Sequence, residues 1–243
     1  MWEYRREQIG ALDCGVVTPT ASRGRPQALA LFCHGFGAPG DDLIPIAEEL
    51  LDDERLSEQS LAFVFPAAPI PLDPGGMSRA WWPIDMVRLQ MIAESSDITG
   101  LADLVPSRLA TCRELVNGVV DEFQRRWEIS AERTVVGGFS QGAMLATDVA
   151  LHATAPLGGL VAWSGALINQ TEWRKAASSR PRMKVVQSHG LWDPILPFAT
   201  GEALRDLLQE AGHEVEFVSF QGYHSIPPGA INACRQLLLG VLA

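Results

Sequence analysis

Six short apolar runs recur along the chain: ALALFC (28–33), LAFVF (61–65), TVVGG (134–138), GLVAW (159–163), KVVQS (184–188) and VEFVSF (215–220). None alternates strictly between apolar and polar residues, so each reads as a strand covered on both faces. Between them lie helix candidates at 41–51, 103–127, 141–152, 198–211 and 229–242. That alternation predicts a mostly parallel, doubly wound sheet flanked by helices. The 243 residues carry no repeat or low-complexity linker, so one α/β domain spanning 1–243 is expected, with no large cap domain.

One connection stands apart. From Pro66 to about Gly100 the chain reads PAAPIPLDPGGMSRAWWPIDM and onward, rich in proline and glycine and then in tryptophan and methionine. It exceeds the usual ~12–15 residue ceiling for structureless loops, so 66–100 is expected to be a lid or to line a binding pocket. Met77, Trp81, Trp82 and Phe139 are the candidate substrate-contacting residues.

Charge and cysteine content narrow the partners. A net charge of −10 argues against nucleic acid or an anionic membrane, both of which demand a basic patch. Cys14, Cys33, Cys112 and Cys234 fit no metal or redox spacing and no disulfide framework. The start, MWEYRREQIG, is charged where a signal peptide needs an apolar core, and no run approaches the ~18 apolar residues of a membrane span. A cytoplasmic protein without stable membrane insertion is expected, as a monomer or homodimer.

The chemistry is written in Gly138-Phe139-Ser140-Gln141-Gly142, a G-x-S-x-G placed after a strand and opening a helix. In that context the pattern is a nucleophile elbow, with small residues two before and two after the serine so that strand and helix can approach. A serine needs a histidine to take its proton and a carboxylate to orient that histidine, in the chain order Ser, Asp, His for this layout. Asp193 and His224 each follow a strand, where open α/β sheets build their sites. Among the competitors, His213 suggests a solvated cap at a helix end, His189 a structural hydrogen bond, and His152 no special role. Asp148 and Asp206 fall inside helices rather than at strand ends.

An oxyanion needs two N–H donors, and the candidates are Gln141, after the serine, and Phe36, in the loop LFCHGFGAPGDD, which His34 is expected to brace. That loop also holds a competing pattern, G-x-G-x-x-G at Gly35, Gly37 and Gly40, the fingerprint of a dinucleotide-binding protein. The second strand ends at Phe65-Pro66 without the acidic residue such a site uses for the ribose. A noncatalytic binding module is the other alternative.

HGFG, GGFSQGAML, HGLWDPILP and GYHS together resemble the phospholipase/carboxylesterase family of α/β-hydrolases, over about residues 28–242. The resemblance implies an α/β-hydrolase fold and a serine hydrolase acting on small-molecule esters or thioesters, without cofactor or metal. It implies catalytic roles for Ser140, Asp193 and His224 and supports Phe36 and Gln141 as oxyanion donors. RAWWPID is similar to the Arg-Ala-Trp-Tyr-Asp pattern of bacterial members, with Pro83 and Ile84 intruding before Asp85. Cleavage of carboxylic esters with short to medium acyl chains is expected, with a lysophospholipase or acyl-protein thioesterase as the near alternative.

Overall fold

A computed structural model describes residues 2–20, 24–94 and 99–243. The chain opens with a hairpin, β1 (Trp2–Ile9) and β2 (Leu12–Pro19), then β3 (Ala28–Cys33), α1 (Ile44–Leu51), α2 (Glu54–Ser57) and β4 (Leu61–Pro66). A small hairpin, β5 (Ile70–Pro71) and β6 (Arg79–Ala80), leads into α3 (Met86–Glu94), α4 (Thr99–Ala102) and α5 (Leu109–Trp127). The second half alternates regularly: β7 (Thr134–Phe139), α6 (Gln141–His152), β8 (Gly159–Trp163), α7 (Gln170–Ser178), β9 (Lys184–Gly190), α8 (Phe198–Glu210), β10 (Glu214–Phe220) and α9 (Pro228–Leu242).

Eight strands form one sheet in the order β1-β2-β4-β3-β7-β8-β9-β10, parallel from β4 onward and antiparallel only where β2 meets β1 and β4. The six apolar runs are the six parallel strands. In β3 alternate side chains serve two cores: Leu29, Leu31 and Cys33 pack with α5 and α6, and Ala28, Ala30 and Phe32 with α1 and α9. Burial on both faces is why the first five runs lack polar alternation, whereas β10, expected to be covered on both faces, lies at the sheet edge and has only exposed and half-buried residues.

The N-terminal hairpin escapes the hydrophobic pattern. Its outer strand carries cross-linking charges, among them Arg6–Asp13 at 2.6 Å, in place of an apolar stripe. The helix expected at 103–127 starts only at Leu109, because Pro106 lacks the N–H that an earlier turn would use. The 66–100 stretch is not structureless: it holds the β5–β6 hairpin, α3 and α4, while residues 95–98 lie outside the described residues.

Between β3 and β7 the order of strands reverses direction in sequence, with Cys33 paired to Gly138. Open α/β sheets place ligands in the crevice at such a switch point, outside the carboxyl ends of the strands. Here those ends lead into Gly35–Phe36 and into Ser140.

Candidate active site

Ser140 has φ 55° and ψ −118°, a conformation that a non-glycine residue holds only when its surroundings dictate it. They do: its N–H donates to Trp163 O at 2.9 Å, and its carbonyl accepts from the amides of Ala143 and Met144. The flanking glycines are required by β3. A Cβ at Gly138 would stand 2.4 Å from the Cys33 carbonyl oxygen, and one at Gly142 only 2.0 Å from the same atom. The turn is thereby wedged against the neighbouring strand, and the serine, 8% exposed, faces a cavity.

Asp193 follows β9 and His224 follows β10. His224 Nδ1 lies 2.6 Å from Asp193 Oδ2, and the other carboxylate oxygen accepts the N–H groups of Ile195 and Leu196, each at 2.9 Å. Burial opposes ionisation of Asp193, but the His224 bond and the two backbone amides outweigh it and hold the carboxyl below its usual range. An ionised carboxylate makes Nδ1 the donor, which leaves Nε2 of His224 as a proton acceptor. His224 and Ser140 line the same cavity, with the Phe139 ring 4.8 Å from the imidazole.

The cavity measures about 410 Å³. Trp82, Ile84, Leu101, Leu104, Met144 and Ile168 contribute apolar wall, and Phe36, Phe139 and Gln141 lie beside Ser140. Gln141 is the first residue of α6, so its N–H has no helical acceptor and the positive end of the helix stands behind it. Of the four expected substrate contacts, Trp82 and Phe139 line the cavity. Trp81 and Met77 do not. Trp81 is fully buried, its indole N–H donating to His34 O at 3.0 Å, whereas Met77 sits in the β5–β6 turn, 68% exposed.

Two side chains tie the site together. Gln141, wholly buried, accepts the Trp81 amide on Oε1 at 2.9 Å and donates from Nε2 to Trp82 O at 2.8 Å. His34 accepts the Ala68 amide on Nε2 at 3.0 Å and places Nδ1 2.8 Å from Gly35 O. Burial pushes the His34 imidazole down to about 4, so it is a neutral brace, as expected. His213 is corrected: it is buried rather than solvated, and its Nδ1 accepts the Met183 amide at 3.2 Å. His189 Nε2 lies 2.8 Å from Leu196 O and fixes the Asp193 loop. Asp148 is fully buried and engaged by Arg113 and by the Trp173 indole, both at 2.8 Å. The glycines at 35, 37 and 40 line no phosphate cradle at a helix start, because α1 begins only at Ile44 and a Cβ at Gly40 would meet Ala67 at 2.4 Å.

The segment 66–100, expected to line a pocket, includes Ile84 and α3, but sequence reasoning did not reach the wall beyond it, from the end of α4 and the segment before α5. Their apolar residues lie in a short stretch broken by Pro106 and resemble ordinary core.

A doubly wound sheet with a serine on a strained strand-to-helix turn at its switch point defines a serine hydrolase of the α/β-hydrolase fold. Comparison with known proteins agrees. The family model described as Phospholipase/Carboxylesterase matches residues 15–239, and the chain belongs to that family. It is 32% identical over 214 residues to an acyl-protein thioesterase 1 of Eremothecium gossypii, covering 86% of each chain. It is 29% identical to the acyl-protein thioesterase 1 of Neurospora crassa, over 82% of this chain and 80% of that one. In fold it is similar to esterase PE8, with a TM-score of 0.76 and 22% identity across 93% and 97% of the two chains. A carboxylesterase from Mesorhizobium loti gives 0.72 and 16% across 98% and 99%.

Proposed function

We propose that the chain hydrolyses carboxylic esters of short to medium acyl chains through an acyl-enzyme on Ser140. The observation that carries this reading is the 2.6 Å His224–Asp193 bond opening onto the cavity that the strained Ser140 faces. His224 Nε2 takes the hydroxyl proton as Ser140 Oγ adds to the substrate carbonyl. The oxyanion that forms is held by the N–H groups of Gln141 and Phe36. Collapse expels the alcohol, which receives the proton from His224. Water, activated by the same imidazole, then releases the acid. Asp193 keeps the imidazole oriented and stabilises its charged form. The 66–100 segment serves as the acyl-pocket wall, with Trp82 its principal side chain.

Thioesters are the second reading, favoured by the two relatives named as acyl-protein thioesterases. The same groups serve both, since a thiolate leaves at least as readily as an alkoxide. A fluorophosphonate probe tests the reaction class: the wild-type protein is labelled and Ser140→Ala is not. Labelling that survives Ser140→Ala would move the nucleophile elsewhere.

A further inference from the structure

Among the described residues, Glu128, Ser140, Ser164 and Asn169 hold a left-handed φ without being glycine. Glu128 closes α5 and Asn169 precedes α7, places where that backbone is routine. Ser140 is the elbow serine. Ser164 stands at no helix end: it follows β8 directly, is fully buried, and has φ 46° where glycine would sit without strain. A serine kept in that conformation points to a use for its hydroxyl.

That hydroxyl donates to the carbonyl oxygen of Ser225, the residue after His224, at 3.1 Å. The bond crosses β9, since β8 and β10 are not neighbours in the sheet. The backbone beside it reaches the other two segments of the site. Trp163 O accepts the Ser140 N–H at 2.9 Å, and the Ser164 N–H donates to Ser188 O at 2.8 Å on β9, the strand that leads to Asp193. Trp163-Ser164 is thus bonded to the segments carrying Ser140, Asp193 and His224 alike. The loop bearing His224 has little burial of its own, with Gln221, Tyr223 and Ser225 exposed. Ahead of His224 it is tied to the Asp193 loop by the Trp192 N–H on Gly222 O at 3.0 Å, and after His224 it is held by Ser164. Asp193 fixes Nδ1 of the imidazole, but where Nε2 meets Ser140 depends also on where this loop carries the His224 backbone.

We propose that Ser164 is a positioning residue for His224, its hydroxyl anchoring the loop so that Nε2 reaches Ser140 Oγ. This rests on the hydrolytic reading above and adds to it a residue that touches neither substrate nor the reacting atoms.

Ser164→Ala and Ser164→Gly both remove the hydroxyl, and the glycine also relieves the backbone, so that variant loses the bond without added strain. Steady-state kinetics on p-nitrophenyl butyrate are measured beside urea unfolding. In both variants kcat and kcat/KM are expected to fall together by about ten- to a hundredfold with KM little changed, because acylation and deacylation both pass a proton through His224. Ser164→Gly is expected to be fully folded under the assay conditions. A kcat within about twofold of wild type in either variant overturns the proposal, since both lack the hydroxyl. So does a rise in KM without a fall in kcat, or a fall in kcat that only tracks the fraction unfolded. Turnover by the wild-type protein reports on the hydrolytic reading separately, and its absence overturns both.

Discussion

Ser140 is held at a positive φ by a hydrogen bond to Trp163 O and by β3 pressing on Gly138 and Gly142. The strain, on the order of 1–3 kcal/mol, is what aims the hydroxyl away from the sheet. This part of the site was legible because the steric demand forces glycine at fixed offsets. Asp193 and His224 were legible because chain order and strand ends confine them. At this scale the prediction concerns the unit formed by Ser140, His224 and Asp193. Ser140→Ala should reduce kcat by roughly 10⁴ to 10⁶ with an unchanged fold, and adding Asp193→Asn to it should cost little more. Steady-state kinetics of the single and double variants decide it: multiplied losses would mean that the residues do not act together.

Elements supply what single residues cannot. The 66–100 segment is tied to the elbow helix by Gln141 and to the loop after β3 by the Trp81 indole, so the three form one hydrogen-bonded body. The tryptophans therefore separate. Trp82→Ala is expected to shift the preferred p-nitrophenyl acyl chain toward longer lengths with little change in the acetate rate. Trp81→Ala should instead destabilise by about 3–5 kcal/mol, as large core truncations do. A chain-length profile unmoved by Trp82→Ala would return that residue to ordinary packing. His34 links the same body to pH. Its imidazole takes a proton at about 4 when folded, against ~6.5 when unfolded, so the unfolded state binds more protons between those values. Its contribution is complete above ~6.5 and is lost as pH falls toward 4, on the order of 3 kcal/mol in all. Burial depresses His189 and His213 in the same direction. Urea unfolding at pH 7.5 and 5 should show a loss about 2 kcal/mol smaller for His34→Gln than for wild type. Equal losses would contradict the assignment.

Across the molecule, the parallel sheet was readable because five of its six strands are buried on both faces, and the sixth, the edge strand β10, is still rich in valine and phenylalanine. The hairpin β1–β2 was not, because an edge strand patterned by Arg5, Arg6 and Glu7 carries no apolar signature. α7 was missed for a related reason: only Trp173 and Ala177 of its nine residues are buried. The topology nonetheless follows from the six strands, and with it the switch point between β3 and β7 that assembles the site from segments more than a hundred residues apart. That a serine at this point becomes covalently acylated is the claim on which everything functional depends. Acid-quenching the protein during turnover of a p-nitrophenyl ester and measuring peptide masses addresses it directly. The acyl mass should appear on the peptide containing Ser140, accumulate further when deacylation is slowed by His224→Ala on an activated ester, and be absent from Ser140→Ala. Turnover with no acylated peptide, or with the acyl group on another residue, would contradict it.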